Sequence, residues 1–501
     1  MTLSKSDYML FLRHPAWLWL KKFDIDKLLP IDENLQAVFD SGYEFENYAE
    51  KLFPDAVKLG FNGYDEYKAL THKTKVALDE GTKTIFQGRF EADGITCIVD
   101  ILDRVEGNVF DLVEIKSSTR AKPEHEYDSA FQTIVIEKTG IKIRNIIIIH
   151  VNNEYVRQGE IEPEKITVKT DVTGAVRSLV DTTKEQIDKA CAVLSQPTLP
   201  DISPRHINQI GVPGVQWFGD WLDIYRNLKP DLNQYSIYSL SYPDAQQIGK
   251  LEDAGIRFMK DIPEKLALRP KQVAQIQTTR DNKRIIDKEK IKEFLSSFKH
   301  PLYFLDYETF SSVIPAFDGC SPYKDYPFQY SLHILSSPGA ELKHEEYLHQ
   351  EKSNPMSQLI EKLKNDIGET GTILVWNMSY EKSCNDRMAH FYPKYKVFLD
   401  GLNERIVDLM SPFSKMWFVD KDFFGSASIK KVMPVLEPKL SYDELAVPDG
   451  LLARRIWTQT ILEGKNIDQK DKIMSDLSKY CTLDTYAMVK ILEKLNNILS
   501  L

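Results

Sequence analysis

The chain has 501 residues, of which 42% are apolar and 28% charged, and its net charge is −10. That length supports two or three domains with ample core, and the acidic balance excludes a broadly basic nucleic-acid coat while leaving room for local basic grooves. No apolar run approaches the ~20 residues of a membrane span, the N-terminus lacks the apolar core of a signal peptide, and five scattered cysteines without a C-x-x-C pair signal neither a disulfide framework nor a zinc site. The expectation is a cytoplasmic protein with no membrane partner.

In chain order, Ser4 or Ser6 caps a short helix carrying Tyr8, Leu10, Phe11 and Leu12, and Pro15 ends it. A second helix starts at Asn34, with Phe39, Tyr43, Phe45, Ala49, Leu52 and Phe53 expected in the core. Gly42 and Glu46 lie four apart on one face of it. Residues 84–92, 95–103 and 110–118 read as three strands, with a turn at Glu106-Gly107-Asn108. In the third strand Glu114 and Lys116 share a face, because side chains alternate with a period of two. A charge pair in an apolar strand is costly to bury unless it has a partner or a task. With Asp100 on the neighbouring strand, Glu114 can hold a metal ion, the Ile115 carbonyl offering a third ligand. Lys116 can then orient or deprotonate water, its pKa lowered by burial or the ion. Residues 144–151 form an apolar strand buried on both faces, a helix over 170–194 closes the domain, and Pro197, Pro200 and Pro204 mark its boundary.

The pattern Gly42-x-x-x-Glu46, then Asp100, then Glu114-x-Lys116 resembles the PD-(D/E)XK nuclease superfamily, and within it the RecB-like branch. The opening Ser4-x-Ser6, Phe11 and His14-Pro15 fits that branch as well. The resemblance covers residues 1–200. It implies a restriction-endonuclease-like α/β core, with Glu46, Asp100 and Glu114 as metal ligands and Lys116 and Gln132 as catalytic residues. The branch usually carries Gln-x-x-x-Tyr; here Gln132 is present and Ile136 stands in place of the Tyr. Many members bind a four-iron cluster through a Cys before a Pro near the N-terminus and three more Cys downstream. Here His14 precedes Pro15 and the downstream segment, 203–221, has no Cys, so no iron–sulfur cluster is expected. Trp217, Phe218 and Trp221 are expected to pack there instead.

Residues 201–295 read as a helical middle segment. Its 250–256 stretch resembles a helix–hairpin–helix element, which grips phosphates with backbone N–H groups, and Arg269, Lys271, Arg280, Lys283 and Arg284 make it locally basic, as a nucleic-acid path would be. The last domain spans 296–501. An apolar strand runs into Asp306, with Glu308 beside it on the same face at the strand exit. Adjacent carboxylates repel unless a cation separates them, and oxygen ligands suit Mg²⁺ or Mn²⁺. Residues 328–335 and 345–348 read as adjacent strands. Met356, Leu359, Ile360, Leu363 and Ile367 have helical spacing, and 371–377 is a buried strand leading into a helix with Glu381. Tyr480 and Asp484 share a face of the final helix.

The set Asp306, Glu308, Glu381, Tyr480 and Asp484 resembles the DEDD family of 3′–5′ exonucleases, in its tyrosine-containing subtype. That resemblance covers residues 300–490 and implies an RNase H-like fold, two Mg²⁺ or Mn²⁺ ions held by the four acids, and Tyr480 as a catalytic residue. The family has Asp where Glu381 stands. Ser428, Lys430 and Lys431 resemble its phosphate-binding Ser-x-Lys segment. Together the two halves resemble a bacterial two-domain family joining a RecB-like nuclease to a DEDD exonuclease. This implies a metal-dependent DNA nuclease with two active sites, acting on single strands or duplex ends in DNA repair or phage defence. Three alternatives stay open: one active nuclease with the other domain as a binding module, a protein that binds nucleic acid without cleaving it, and RNA as substrate.

Overall fold

In the computed structural model, which describes every residue except 1, 31, 32, 216, 265, 267, 443, 444 and 501, the chain is a mixed α/β protein with two compact units. One is Met1–Leu232 with Asp244–Lys250; the other is Asn233–Pro243 with Leu251–Leu501.

In the first unit Ser4 caps α1 (Lys5–Arg13). Its hydroxyl accepts from the Asp7 amide and the Asp7 carboxylate accepts from the Ser4 amide, a reciprocal capping box. Pro15 occupies the first position of α2 (Pro15–Phe23), where its missing N–H costs nothing. In α3 (Glu33–Glu50), Phe45 and Ala49 turn inward, but Phe39 and Tyr43, expected in the core, are 42% and 63% exposed.

The two strands read over 84–92 and 95–103 each divide. Gln87 takes a left-handed φ of 55°, so β1 (Thr84–Phe86) and β2 (Arg89–Ala92) enter different sheets. Opposite this bend β3 (Ile95–Ile98) stops and β4 (Ile101–Glu106) begins, the Val99 and Gln87 amides bonding across to Gly88 and Asp100. Asp100 therefore sits at the break and not within a strand. The main sheet is six-stranded, in the order Val57–Lys58, β1, β4, β5 (Val109–Lys116), β6 (Lys142–Val151) and β7 (Thr167–Asp171). β5 and β6 are parallel, joined through α4 (Pro123–Lys138), a helix buried almost all round. β7 takes the first residues of the expected 170–194 helix, which starts at Thr173 as α5 (Thr173–Leu194) and packs on α4.

The middle segment holds helices Ala245–Asp253 and Pro270–Asp281, but also a short strand, Ile285–Ile286, paired antiparallel with Phe418–Val419. Three of its basic residues are engaged locally. Arg269 donates to the Tyr242 carbonyl, Arg280 to the Lys260 and Ile262 carbonyls, and Arg284 pairs with Asp420 at 2.6 Å.

The second unit is built on β8 (Leu302–Phe310), which does not end at Asp306 but continues four residues beyond it, with a bulge between Glu308 and Thr309. It is the centre of a five-stranded mixed sheet. β9 (Tyr326–Leu335) and then β10 (Lys343–Leu348) follow antiparallel on one side. β11 (Thr372–Val375) and β12 (Ile406–Asp408) follow parallel on the other. Between them, α6 (Met356–Asp366) fully buries Met356, Leu359, Ile360 and Leu363, as their spacing requires. α7 (Met378–Phe391) follows β11, and the 31-residue α10 (Lys470–Ser500) lies across β8 and β9. α8 (Ile429–Leu436) and α9 (Gly450–Trp457) complete the wall around the C-terminal cleft described below. Among the described residues, no helix is long and apolar enough to cross a membrane.

Candidate functional site

Three secondary-structure elements of the second unit bring carboxylates to one cleft of about 480 Å³. The pleat of β8 puts Asp306 and Glu308 on one face, and one oxygen from each, with Sγ of Cys481, lies within 4.8 Å of the others. Glu381 arrives in the first turn of α7; it is 2% exposed and its Oε2 has no hydrogen-bond partner. Its extra methylene, relative to Asp, still leaves it lining the same cleft. From α10, Tyr480 and Asp484 reach the cleft one turn apart, and Asp484 accepts a 2.5 Å hydrogen bond from the Tyr442 hydroxyl.

Burial raises the Asp306, Glu308 and Glu381 carboxyls well above the usual range; the Asp484 charge adds to it at Asp306, Asp306 and Asp484 at Glu308, and Asp306 and Glu308 at Glu381. Burial likewise lifts Asp484, to about 6. Among the described residues no lysine or arginine forms an ion pair with any of the four. The orphaned Glu381 oxygen and this repulsion are what a divalent cation relieves, and the four carboxylates fit Mg²⁺ or Mn²⁺.

Two cations stand at the rim. Lys430, on α8, donates to the Pro448 carbonyl at 2.8 Å, its ammonium 5.3 Å from the Tyr480 ring centre. Arg454, on α9, donates to the Thr309 carbonyl at 3.1 Å and the Ser311 hydroxyl at 2.7 Å, and pairs with Asp325 at 2.6 Å. Arg454 and Tyr442 were not foreseen; their partners lie far away in sequence and no local pattern marks them. Of the expected phosphate ligands, Lys430 lines the cleft but Ser428 and Lys431 do not. Lys431 lies about 100° further round α8, Ser428 is the residue before the helix, and both are exposed.

In the first unit Asp100, Glu114, Lys116 and Gln132 also come together. The Asp100 carboxylate accepts from the Ile115 amide at 2.8 Å. Lys116 donates to Glu114 and to Asp128, each at 2.7 Å. Gln132 donates to the same two carboxylates at 2.9 and 3.0 Å. Asp128 and Lys5 are additions to the expected set, Lys5 standing 2.9 Å from Glu114 and 3.6 Å from Asp128. Burial and the Glu114 charge push Asp100 up to about 7. Burial opposes ionisation of Glu114 too, but Lys116 and Lys5 outweigh it and hold that carboxyl low. The expected lowering of Lys116 is not found: burial favours it, yet Asp128 and Glu114 prevail and keep the ammonium charged. Glu46 is half-buried and accepts from Gln87 at 3.4 Å; burial and the Glu50 charge raise its pKa. A Cβ at Gly42 would lie 3.6 Å from Ser117 Oγ, so α3 runs against the end of β5.

His14 stacks on Trp221, ring centres 3.8 Å apart and planes 12° from parallel, and its Nε2 lies 3.0 Å from the Ser203 carbonyl. Trp217 is buried beneath the Arg13 guanidinium, and Phe218 is half-buried.

A family model described as a domain of unknown function (DUF2779) matches residues 303–428. That span holds Asp306, Glu308 and Glu381 but stops short of Tyr480 and Asp484. The chain is 25% identical over 229 residues to an uncharacterized protein of Mycoplasma pneumoniae, the MG366 homolog, covering 42% of this chain and 34% of that protein. It is 24% identical over 221 residues to the uncharacterized protein UU173 of Ureaplasma parvum, covering 40% and 32%. The chain spans about a third of the length of these curated relatives.

Proposed function

We propose that the second unit is an RNase H-like, DEDD-type nuclease that removes nucleotides from the 3′ end of DNA, with the first unit a RecB-like nuclease core. The observation that carries this reading is the convergence of Asp306, Glu308, Glu381 and Asp484 on one cleft with Tyr480 beside them. Those four carboxylates would hold Mg²⁺ or Mn²⁺, which when bound polarises the scissile phosphate and acidifies the attacking water. Lys430 and Arg454 at the rim draw a phosphate backbone in by charge. Tyr480, 4% exposed and with its ionisation strongly opposed by burial and Asp484, keeps its proton and can share it in a hydrogen bond to a phosphate oxygen.

A second reading concerns the first unit. Lys5 and Lys116 already neutralise Glu114 and Asp128, a balance that leaves less unmet charge for a metal ion and favours one cleaving site, in the second unit, with the first as a binding module. Digestion of end-labelled, matched DNA and RNA strands with Mg²⁺ or Mn²⁺ tests both readings. Loss of 3′ shortening in Asp306→Ala alone supports the C-terminal exonuclease and the binding role of the first unit. Loss in Lys116→Ala alone reverses the assignment, and cleavage of RNA alone replaces DNA as the substrate.

A further inference from the structure

Cys481 is fully buried beside the cleft, and phosphodiester hydrolysis by carboxylate-held ions gives it no task. It follows Tyr480 on α10 and precedes Asp484 by three positions, so it lies on the face that carries Asp484. Its Sγ is 3.7 Å from Oδ2 of Asp306. A tetrahedral zinc ion with a sulfur at about 2.3 Å and an oxygen at about 2.1 Å holds those two ligand atoms about 3.6 Å apart. In the metal-free chain the thiol donates a hydrogen bond to that carboxylate, and the same separation suits two ligands of one ion once the thiol loses its proton. Glu308 supplies a third atom within 4.8 Å of both. An independent observation points the same way: Glu381, 2% exposed in the same cleft, has an oxygen that bonds to nothing.

We propose that Asp306, Glu308 and Cys481 form a mixed oxygen–sulfur site that takes a zinc-class divalent cation in preference to Mg²⁺. Thiolate sulfur is a soft ligand that favours zinc and cadmium, whereas Mg²⁺ demands oxygen. The inference rests on reading the cleft as a divalent-ion site and adds which ions it selects. On binding, the metal–sulfur bond forms as the Sγ proton leaves to solvent, so uptake of the ion releases a proton. An ion held there occupies Asp306 and Glu308, and zinc therefore competes with Mg²⁺ for the carboxylates assigned to hydrolysis.

The test titrates the full chain, free of nucleic acid, with Cd²⁺ and follows the ultraviolet thiolate-to-cadmium charge-transfer band, with Zn²⁺ as displacing ion. The parent should develop a saturable band, erased by Zn²⁺ and not by equimolar Mg²⁺. Cys481→Ser should lose the band and bind Zn²⁺ at least about a hundredfold more weakly. Cys97→Ser, altered in the other unit, should keep both properties. Asp306→Asn should keep a band but need about tenfold more Cd²⁺ to form it. Each variant is compared with the parent only where its circular dichroism matches the parent's. No band in the parent, or a band that persists in folded Cys481→Ser, overturns the proposal. Metal-dependent DNA shortening without a cadmium band sinks this inference alone, whereas a cadmium band without hydrolysis under any metal sinks the catalytic reading alone.

Discussion

Lys5 places its ammonium 2.9 Å from Oε1 of Glu114, a residue 109 positions further along the chain, and Lys116 shares that oxygen at 2.7 Å. Two cations on one buried carboxylate explain why Glu114 stays ionised where burial alone would protonate it. Lys5 thereby shares with Lys116 the carboxylate oxygen that the sequence assigned to a metal ion.

Lys5→Met leaves Glu114 and Asp128 sharing one cation. Breaking a buried ion pair from one side costs roughly 3 kcal/mol, so the variant should unfold earlier than the parent in chelator. Excess Mn²⁺ should restore most of the loss by supplying the missing charge. Thermal unfolding with and without Mn²⁺ reads this directly; an equal loss under both conditions would make Lys5 a purely structural tie.

Glu381→Gln should stabilise the metal-free protein at pH 8. The Glu381 carboxyl is raised in the folded state by burial and by Asp306 and Glu308. The folded state then keeps a proton that the unfolded state has given up, so this contribution is present at low pH and is lost as pH rises through the folded pKa. Gln carries no such loss. Its advantage in urea unfolding should be largest at pH 8, vanish near pH 4, and reverse when Mn²⁺ is added.

His14 has the opposite sign. Burial pulls its pKa down to about 3, so the unfolded chain binds the proton first. Stability is complete above about pH 6.5 and falls as the pH drops towards 3, by about 1.4 kcal/mol per unit. His14→Phe, which keeps a ring against Trp221, should show a constant loss from the missing hydrogen bonds and a shallower acid limb in unfolding curves taken across that range.

Arg454 joins the end of β8 to Asp325 through bonds to the Thr309 carbonyl and the Ser311 hydroxyl. Arg454→Lys keeps the charge but not the fork that serves three partners at once. Nucleic-acid binding measured by fluorescence anisotropy should weaken about tenfold in Arg454→Ala, with Arg454→Lys recovering only part of it. Full recovery by Lys would reduce the role of Arg454 to its charge.

The parts of the cleft legible in the sequence are those set by local periodicity. Asp306 and Glu308 share a face because strands repeat every two residues, and Tyr480 and Asp484 because helices repeat every 3.6. Glu381 was marked by a buried strand running straight into a helix. What escaped depends on partners distant in the chain: Lys5 on Glu114, Arg454 on Asp325, 129 positions away, and Cys481 on Asp306, 175 positions away. The continuous strands read over 84–92 and 95–103 failed for a different reason. Gln87 adopts a left-handed backbone that no apolar pattern announces, and the bend it makes sets Asp100 against the Ile115 amide. Phe39 and Tyr43 face out because, among its described side chains, α3 buries only Phe45 and Ala49.

On the reading proposed above, the carboxylates of the C-terminal cleft hold the ions that cleave DNA. The most direct measurement incubates 5′-labelled single-stranded DNA with Mn²⁺ and either the parent chain or Asp484→Asn, whose partner Tyr442 keeps a hydrogen-bond acceptor of the same shape. The parent should yield a ladder shortening from the 3′ end, and Asp484→Asn, equally folded, should lose at least about a hundredfold in rate. An equal rate in Asp484→Asn, or no shortening by the parent with any divalent metal, would contradict the account.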